Sequence, residues 1–187
     1  MVLFTTATVS ANAAQWLIDN SHSQVNFISI KKDKIAEVHQ FKQLQGRLDS
    51  QGQFEVNIDL SSVDTHIAVR DERMTKHFFN VDQFAHAKLT AKIDLSVLDA
   101  VAQGASTALT VDAQLSLHGE VKTITLNMMV TRLVGAKLSV VSTQPVIVNV
   151  DDFSLTAGLN KLMELAKLPS ISHAVPVSFY LTLNLKP

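Results

Sequence analysis

Seven histidines, at positions 22, 39, 66, 77, 86, 118 and 173, are the residues of this chain with the widest chemical reach. An imidazole can ligate a metal or shuttle a proton at neutral pH. A metal site on one element needs two ligands on one face, two residues apart on a strand or four apart on a helix. No histidine pair here has either spacing, and His-Glu-x-x-His is absent. Histidines scattered in this way are read as surface or turn residues, and a site assembled across strands is the one metal arrangement left open. The adjacent acids Asp71-Glu72 and Asp151-Asp152 diverge on a strand and on a helix alike, so neither makes a proton-sharing dyad. Gly-x-Ser-x-Gly and a glycine-rich phosphate loop are both missing. Without cysteine there is no thiol chemistry, no disulfide framework and no thiolate-built zinc or iron–sulfur site. The reading therefore assigns no catalytic residue, no metal ligand and no cofactor of the protein's own.

The composition points toward binding. The 187 residues carry 16 Lys+Arg against 17 Asp+Glu, a formal charge of −1, which excludes a general electrostatic claim on nucleic acid or an acidic surface. Hydrophobic residues make up 47% and charged ones only 18%, where ~25% charged is usual. Part of that excess sits in residues 1–14, which are small and apolar, with Ala11-Asn12-Ala13 and Asn12-Ala13-Ala14 resembling signal-peptidase sites. A positive leader region is lacking. The expectation is a signal-peptide remnant over 1–14, a mature domain over 15–187, and export to a bacterial periplasm. No later stretch approaches the ~20 apolar residues of a membrane-spanning helix.

The elements that would position a site are strands. Phe54–Leu60, Ala87–Leu95, Leu109–Leu117 and Val175–Leu185 alternate apolar with polar residues, and shorter runs occur at Val25–Ile30, Leu44–Leu48, Ile124–Val130, Leu138–Val141 and Val146–Val150. Turn residues separate several of them: Asp49-Ser-Gln-Gly52, Gln103-Gly104 and Gly135-Ala136. Two segments break the period. Ile67–Phe79 reads as a short helix, and Leu155–Leu168 carries Leu159, Leu162, Met163 and Ala166 at helical spacing, broadened by Leu165 and Leu168, before Pro169. The fold class is all-β: a single antiparallel sheet of about eight strands, closed into a barrel to remove its edges, with two short helical insertions.

At ~3.3 Å per residue the longer strands span nearly 30 Å, and about eight of them enclose an interior that side chains fill or that holds one slender ligand. Periodicity leaves both states open. The inward positions are almost all Ala, Val, Leu, Ile or Phe, so a guest would be elongated and apolar.

Four segments, in order, resemble the YceI-like family. They are Trp16-Leu-Ile-Asp19 with Ser21-His-Ser23-x-Val25-x-Phe27; then Ser62-Val-Asp-Thr65 followed by Arg70-Asp71, Phe78-Phe-Asn-Val81 and Phe84-Ala-His-Ala87; then Leu115-Ser-Leu-His-Gly119-x-Val121-Lys122; and finally Leu168–Ser172 with Ala174–Phe179. The chain departs from the family at Ala85, where a proline is usual, and at Leu89, where an aromatic is. The resemblance implies a lipocalin-like barrel that binds a polyisoprenoid or similar long-chain lipid, often in the periplasm, and a homodimer. A lipid tail, from a polyprenyl chain, an isoprenoid quinone or a fatty lipid, would be lined by the inward-facing Phe27, Leu44, Ile58, Leu89, Leu115, Met128 and Phe179, with ordinary core packing as the equal alternative for each. Phe78, Phe79, Leu162 and Leu165 would cover the mouth. Arg70 and Asp71 are expected to fix the first helix to the barrel, with a headgroup role for Arg70 as the lesser reading. The leading function is carriage or sequestration of that lipid. A quinone-dependent enzyme or electron-transfer accessory, and a filled barrel serving as an interaction module, are the alternatives.

Overall fold

In the computed structural model, which describes residues 14–186, the alternating segments close on themselves. The strands are β1 (Gln15–Ile18), β2 (Gln24–Lys31), β3 (Ile35–Phe41), β4 (Leu44–Leu48), β5 (Gln53–Asp59), β6 (Val63–Asp64), β7 (His86–Lys92), β8 (Ser106–Leu117), β9 (Glu120–Leu133), β10 (Lys137–Ser142), β11 (Val146–Asn149) and β12 (Ala174–Lys186). The helices are α1 (Ala68–Arg73), α2 (Leu95–Asp99) and α3 (Thr156–Ala166). Four staves of the barrel are broken midway, β1 continuing as β2, β3 as β4, β5 as β6 and β10 as β11. Taken as continuous, they give an eight-stave antiparallel barrel in which neighbours in sequence pair. β12 closes the ring by pairing Leu183 with Ile18 of β1 and Val177 with Phe27 of β2. Away from β1 the ring is split: β11 pairs β12 alone, and residues 120–127 of β9 pair only β8. The expected signal-peptide remnant lies outside the described residues except for Ala14.

Turns hold the register. The β8–β9 hairpin turns on His118 and Gly119, with φ of 51° and 83°, the left-handed pair that matches the twist of a tight hairpin. A Cβ on Gly119 would also meet Phe84 at 3.2 Å.

Several expected boundaries move: β8 begins at Ser106 rather than Leu109, and β9 extends the expected Ile124–Val130 to Glu120–Leu133. Alternation carried the seventh strand through Leu95, but β7 ends at Lys92. The Asp94 carboxylate accepts from Ser96 N at 3.0 Å and so caps α2 instead; capping of free N–H groups outweighs a periodic pattern two residues long. The second expected helix stops at Lys167, in a left-handed conformation (φ 53°). There Lys167 N donates to Glu164 O and Leu168 N to Met163 O, a Schellman ending that precedes Pro169. β3 had no alternation signal because its inward residues are Glu37, His39 and Phe41 while Val38 faces outward and is 61% exposed.

The two halves of the barrel differ. The half nearest β1 is packed by Leu48, Ile93, Leu126, Met128, Val130, Leu138 and Leu183, leaving a void of only about 40 Å³, and α2 plugs its end with buried Leu98. The other half is hollow and needs a roof. α1 begins it, and the chain continues from α1 as a widened π turn over Met74–Phe79, a geometry frequent at functional sites. α3 lies across that turn. Gly158 permits the contact, since a Cβ there would come within 2.6 Å of His77 O and 2.8 Å of Phe78 Cα.

Gly158→Ala therefore has two opposed effects. Helix propensity favours alanine by about 1 kcal/mol, whereas forcing a methyl between two packed backbones costs about 1–3 kcal/mol. The contact wins, and the variant is expected to melt below the parent in thermal unfolding; a raised melting temperature would show that α3 does not press on the π turn.

Candidate functional site

The hollow half encloses a cavity of about 420 Å³, within the ~300–1,000 Å³ range of small-molecule sites. Its wall is built from four directions. The alternate residues Val25, Phe27, Ser29 and Lys31 of β2 face it, with His39 and Phe41 of β3 opposite. Ile58, Ala87, Leu115 and Leu117 line the far side. Arg70, Arg73, Met74, Phe78 and Phe79 come down from α1 and the π turn. From α3 come Leu155, Leu159, Leu162 and Ala166, the residues at helical spacing on one face. Ring contacts tie the wall together, with Phe27–Phe41 centroids at 5.3 Å, Phe41–Phe79 at 5.8 Å and Phe78–Phe79 at 4.8 Å. Such tilted aromatic pairs are worth about 0.5–1.5 kcal/mol beyond the area they bury.

Polarity is confined to one end. Ser29, Lys31, His39, Arg70, Arg73 and Ser172 are the polar side chains on the wall, gathered near the tip of the β2–β3 hairpin, where Ser172 N donates to Ile30 O at 2.8 Å. Arg70 joins helix to barrel. Its Nη1 donates to Glu37 Oε2 at 2.7 Å and its Nη2 to Thr65 O at 2.6 Å. The Asp71 carboxylate accepts from Thr65 N at 2.8 Å and from the Thr65 hydroxyl. Thus Thr65, Arg70 and Asp71 of the second resembling segment form a joint that holds α1 over the opening. The hydrogen bond from Lys31, with the nearby Arg70 charge, holds the Glu37 carboxyl below the ordinary carboxylate range.

Six residues expected to line a ligand do line this cavity: Phe27, Ile58, Phe78, Phe79, Leu115 and Leu162. The other five lie elsewhere. Leu44 is 2% exposed in the closed core at the barrel's waist, and Leu89 and Phe179 pack half-buried against that core. Met128 faces inward but into the packed half. Leu165 is turned off the stripe that Leu162 and Ala166 continue on α3. The even alternation of the strands carries no mark of where packing stops and the cavity begins.

His39 corrects the expectation of surface histidines: it is 3% exposed and on the cavity wall. Its cross-strand partner is Phe27, and its place two residues before inward Phe41 was the available signal. The Ser29 hydroxyl lies 2.9 Å from His39 Nε2, which invites comparison with a nucleophile and its base. A nucleophilic serine needs a base oriented by a third group on the far nitrogen, and His39 Nδ1 has no partner. Burial, reinforced by the Arg70 charge, pushes its pKa down to about 4, so the ring is a poor proton acceptor. Among the described residues no three His, Cys, Asp or Glu side chains converge as metal ligands.

The chain resembles known proteins in the same terms. The profile of the YceI-like domain matches residues 16–183. A solved polyisoprenoid binding domain from Saccharophagus degradans, implicated in plant cell wall breakdown, is 34% identical, superposes with a TM-score of 0.89, and is covered over 98% of its length by 91% of this chain. BcnA from Burkholderia cenocepacia (18% identity, TM-score 0.66, 88% of this chain and 98% of that one) and the YCEI protein of Campylobacter jejuni (16%, 0.58, 80% and 85%) share the fold. No curated protein matches the chain in sequence.

The His39 shift sets a pH dependence. Its folded pKa, about 4, lies below the ordinary 6.5. As pH falls below 6.5 the unfolded chain takes up a proton that the folded one refuses, so the stability contributed by the neutral ring is present above that pH and lost on the way down to 4. Linkage puts the loss at about 3 kcal/mol at most. Urea unfolding at pH 7.5 and 4.5 should show a larger drop for the parent than for His39→Gln. Equal drops would mean that the ring is solvated.

Proposed function

The chain belongs to the YceI-like family, and on that premise we propose that it binds a long-chain isoprenoid lipid, a polyprenyl chain or an isoprenoid quinone, and carries or sequesters it without chemical change. The observation that carries this reading is the roofed cavity, apolar along its length and polar at one end. A polyisoprenoid has the matching form. Each buried methylene is worth ~0.8 kcal/mol, so one isoprene unit contributes roughly 3–4 kcal/mol at most. Several units give firm binding even after ordering costs are met. A role without chemistry is supported by the wall itself: the carboxylate at its edge, Glu37, is bonded to Lys31 and Arg70, and its one histidine is a weak base with no orienting partner.

Export to a periplasm and self-association as a homodimer belong to the same reading. The small apolar residues of 1–14 support the first, and the family resemblance suggests both. Intact-mass measurement of protein expressed from the full gene and light scattering of the purified protein test them. Among the described residues no helix is long and apolar enough to cross a membrane.

Organic extraction of the purified protein, with native mass spectrometry alongside, is the direct test. A long-chain isoprenoid is expected at close to one per chain. Ala87→Phe, which places a ring in the cavity opposite Ile58, should cut that occupancy several-fold. Protein that carries no lipid and takes up none on incubation with phosphatidylcholine vesicles containing farnesol would overturn the proposal.

A further inference from the structure

One seam of the barrel wall is almost unbonded. Strand β9 stays paired with β10 as far as Met128 and Ser142, and one further bond runs from Thr143 N to Asn127 O, at 2.9 Å. In that register the next hydrogen-bonded pair is Thr125 with Pro145, and a proline has no N–H to give Thr125 O. The strands part there. Residues 120–127 of β9 pair only with β8, and β11 pairs only with β12. Among the described residues one other hydrogen bond crosses the seam, at its far end, from the exposed Ser154 hydroxyl to Glu120 Oε1 at 3.0 Å. Between the two edges lies a cleft of about 290 Å³, lined by Thr123, Ile124 and Thr125 on one side and Pro145, Val146 and Ile147 on the other.

The seam borders the lipid cavity. Leu115 and Leu117 of β8 and Val148 of β11 are on the cavity wall, and β9 between them contributes no residue to it. Lys122 stands opposite Leu115 in the β8–β9 ladder and so on the inward face, yet it is exposed. An inward lysine reaches water where the wall beside it is open. Closing a barrel removes its edges, and this barrel keeps two of them where the cavity lies behind. The roof, by contrast, is pinned by the four hydrogen bonds that Arg70 and Asp71 make to Glu37 and Thr65. Lifting α1 breaks those bonds; parting the seam breaks one, already exposed to water.

We propose that this seam is a lateral portal. The lipid chain enters and leaves the cavity between β9 and β11 while the roof stays in place, and Pro145 keeps the two strands from zipping together. The inference rests on the lipid-binding reading and assigns a route to that site.

A chain without cysteine allows the seam to be locked selectively. Continuing the β9–β10 register sets Ile124 opposite Val146, in the non-hydrogen-bonded position where side chains come closest. The full-length chain with Ile124→Cys and Val146→Cys is oxidised either before or after loading with farnesol from phosphatidylcholine vesicles. A short bismaleimide replaces the disulfide if the sulfurs stand too far apart. Timed native mass spectrometry then follows farnesol into and out of the protein. Locking should slow both uptake and release about tenfold or more, as for a gated site, and should trap farnesol loaded beforehand; reducing the disulfide should restore both rates. Ser154→Gly removes the bond at the far end and suits the left-handed φ of 55° there, so it should speed release several-fold. Equal rates in the locked and unlocked protein, or escape of preloaded farnesol at the unlocked rate, overturn the portal. Failure of the unlocked protein and the parent to take up farnesol overturns the lipid-binding reading instead.

Discussion

The cavity exists because the Arg70 guanidinium spans the gap between helix α1 and strand β3, donating to the Glu37 carboxylate and to the Thr65 carbonyl at once. Everything above the open half of the barrel follows from that joint. Asp71 fixes the loop into α1 by accepting from Thr65. The π turn that continues α1 presents Met74, Phe78 and Phe79 to the cavity, and α3 can settle on that turn because position 158 has no side chain. A bidentate, charge-assisted anchor suits this place, since helix and strand meet there across few apolar contacts and the geometry must be held against solvent.

A barrel of eight staves is at the size where side chains can just fill it, and this one is filled over half its length. Large residues meet across the β1 end, and α2 seals it. Toward the hairpin end the inward residues do not reach one another, and the helices cover the space instead of filling it. The packed half supplies the close-packed contacts that stabilise the fold. The hollow half forgoes some of those contacts, leaving apolar surface for a guest to cover.

The sequence was informative wherever local rules act alone. Alternation placed half of the strands within a residue or two and fell three or four residues short at β8 and β9, and the Leu159–Leu162–Ala166 stripe marked the face of α3 that meets the cavity. It misled where a second local signal competed, as at Asp94, whose capping carboxylate ends a strand that the pattern would have continued. It was silent at β3, whose inward face is Glu37, His39 and Phe41, because a polar residue facing a cavity reads like one facing water. His39 passed for a surface histidine for the same reason. Leu44 and Met128 show the converse limit: their inward direction was legible, whereas the depth at which packing gives way to space was not.

By itself, then, the sequence determined the all-β class, the two larger helices and the direction in which most side chains point, since each depends on residues within a few positions of one another. Only the tertiary structure decided that the barrel is packed at one end and hollow at the other, and that Lys31, His39, Arg70 and Arg73 meet around one end of that hollow. Those facts depend on volumes and distances between residues tens of positions apart in the chain, which closure of the sheet alone brings together.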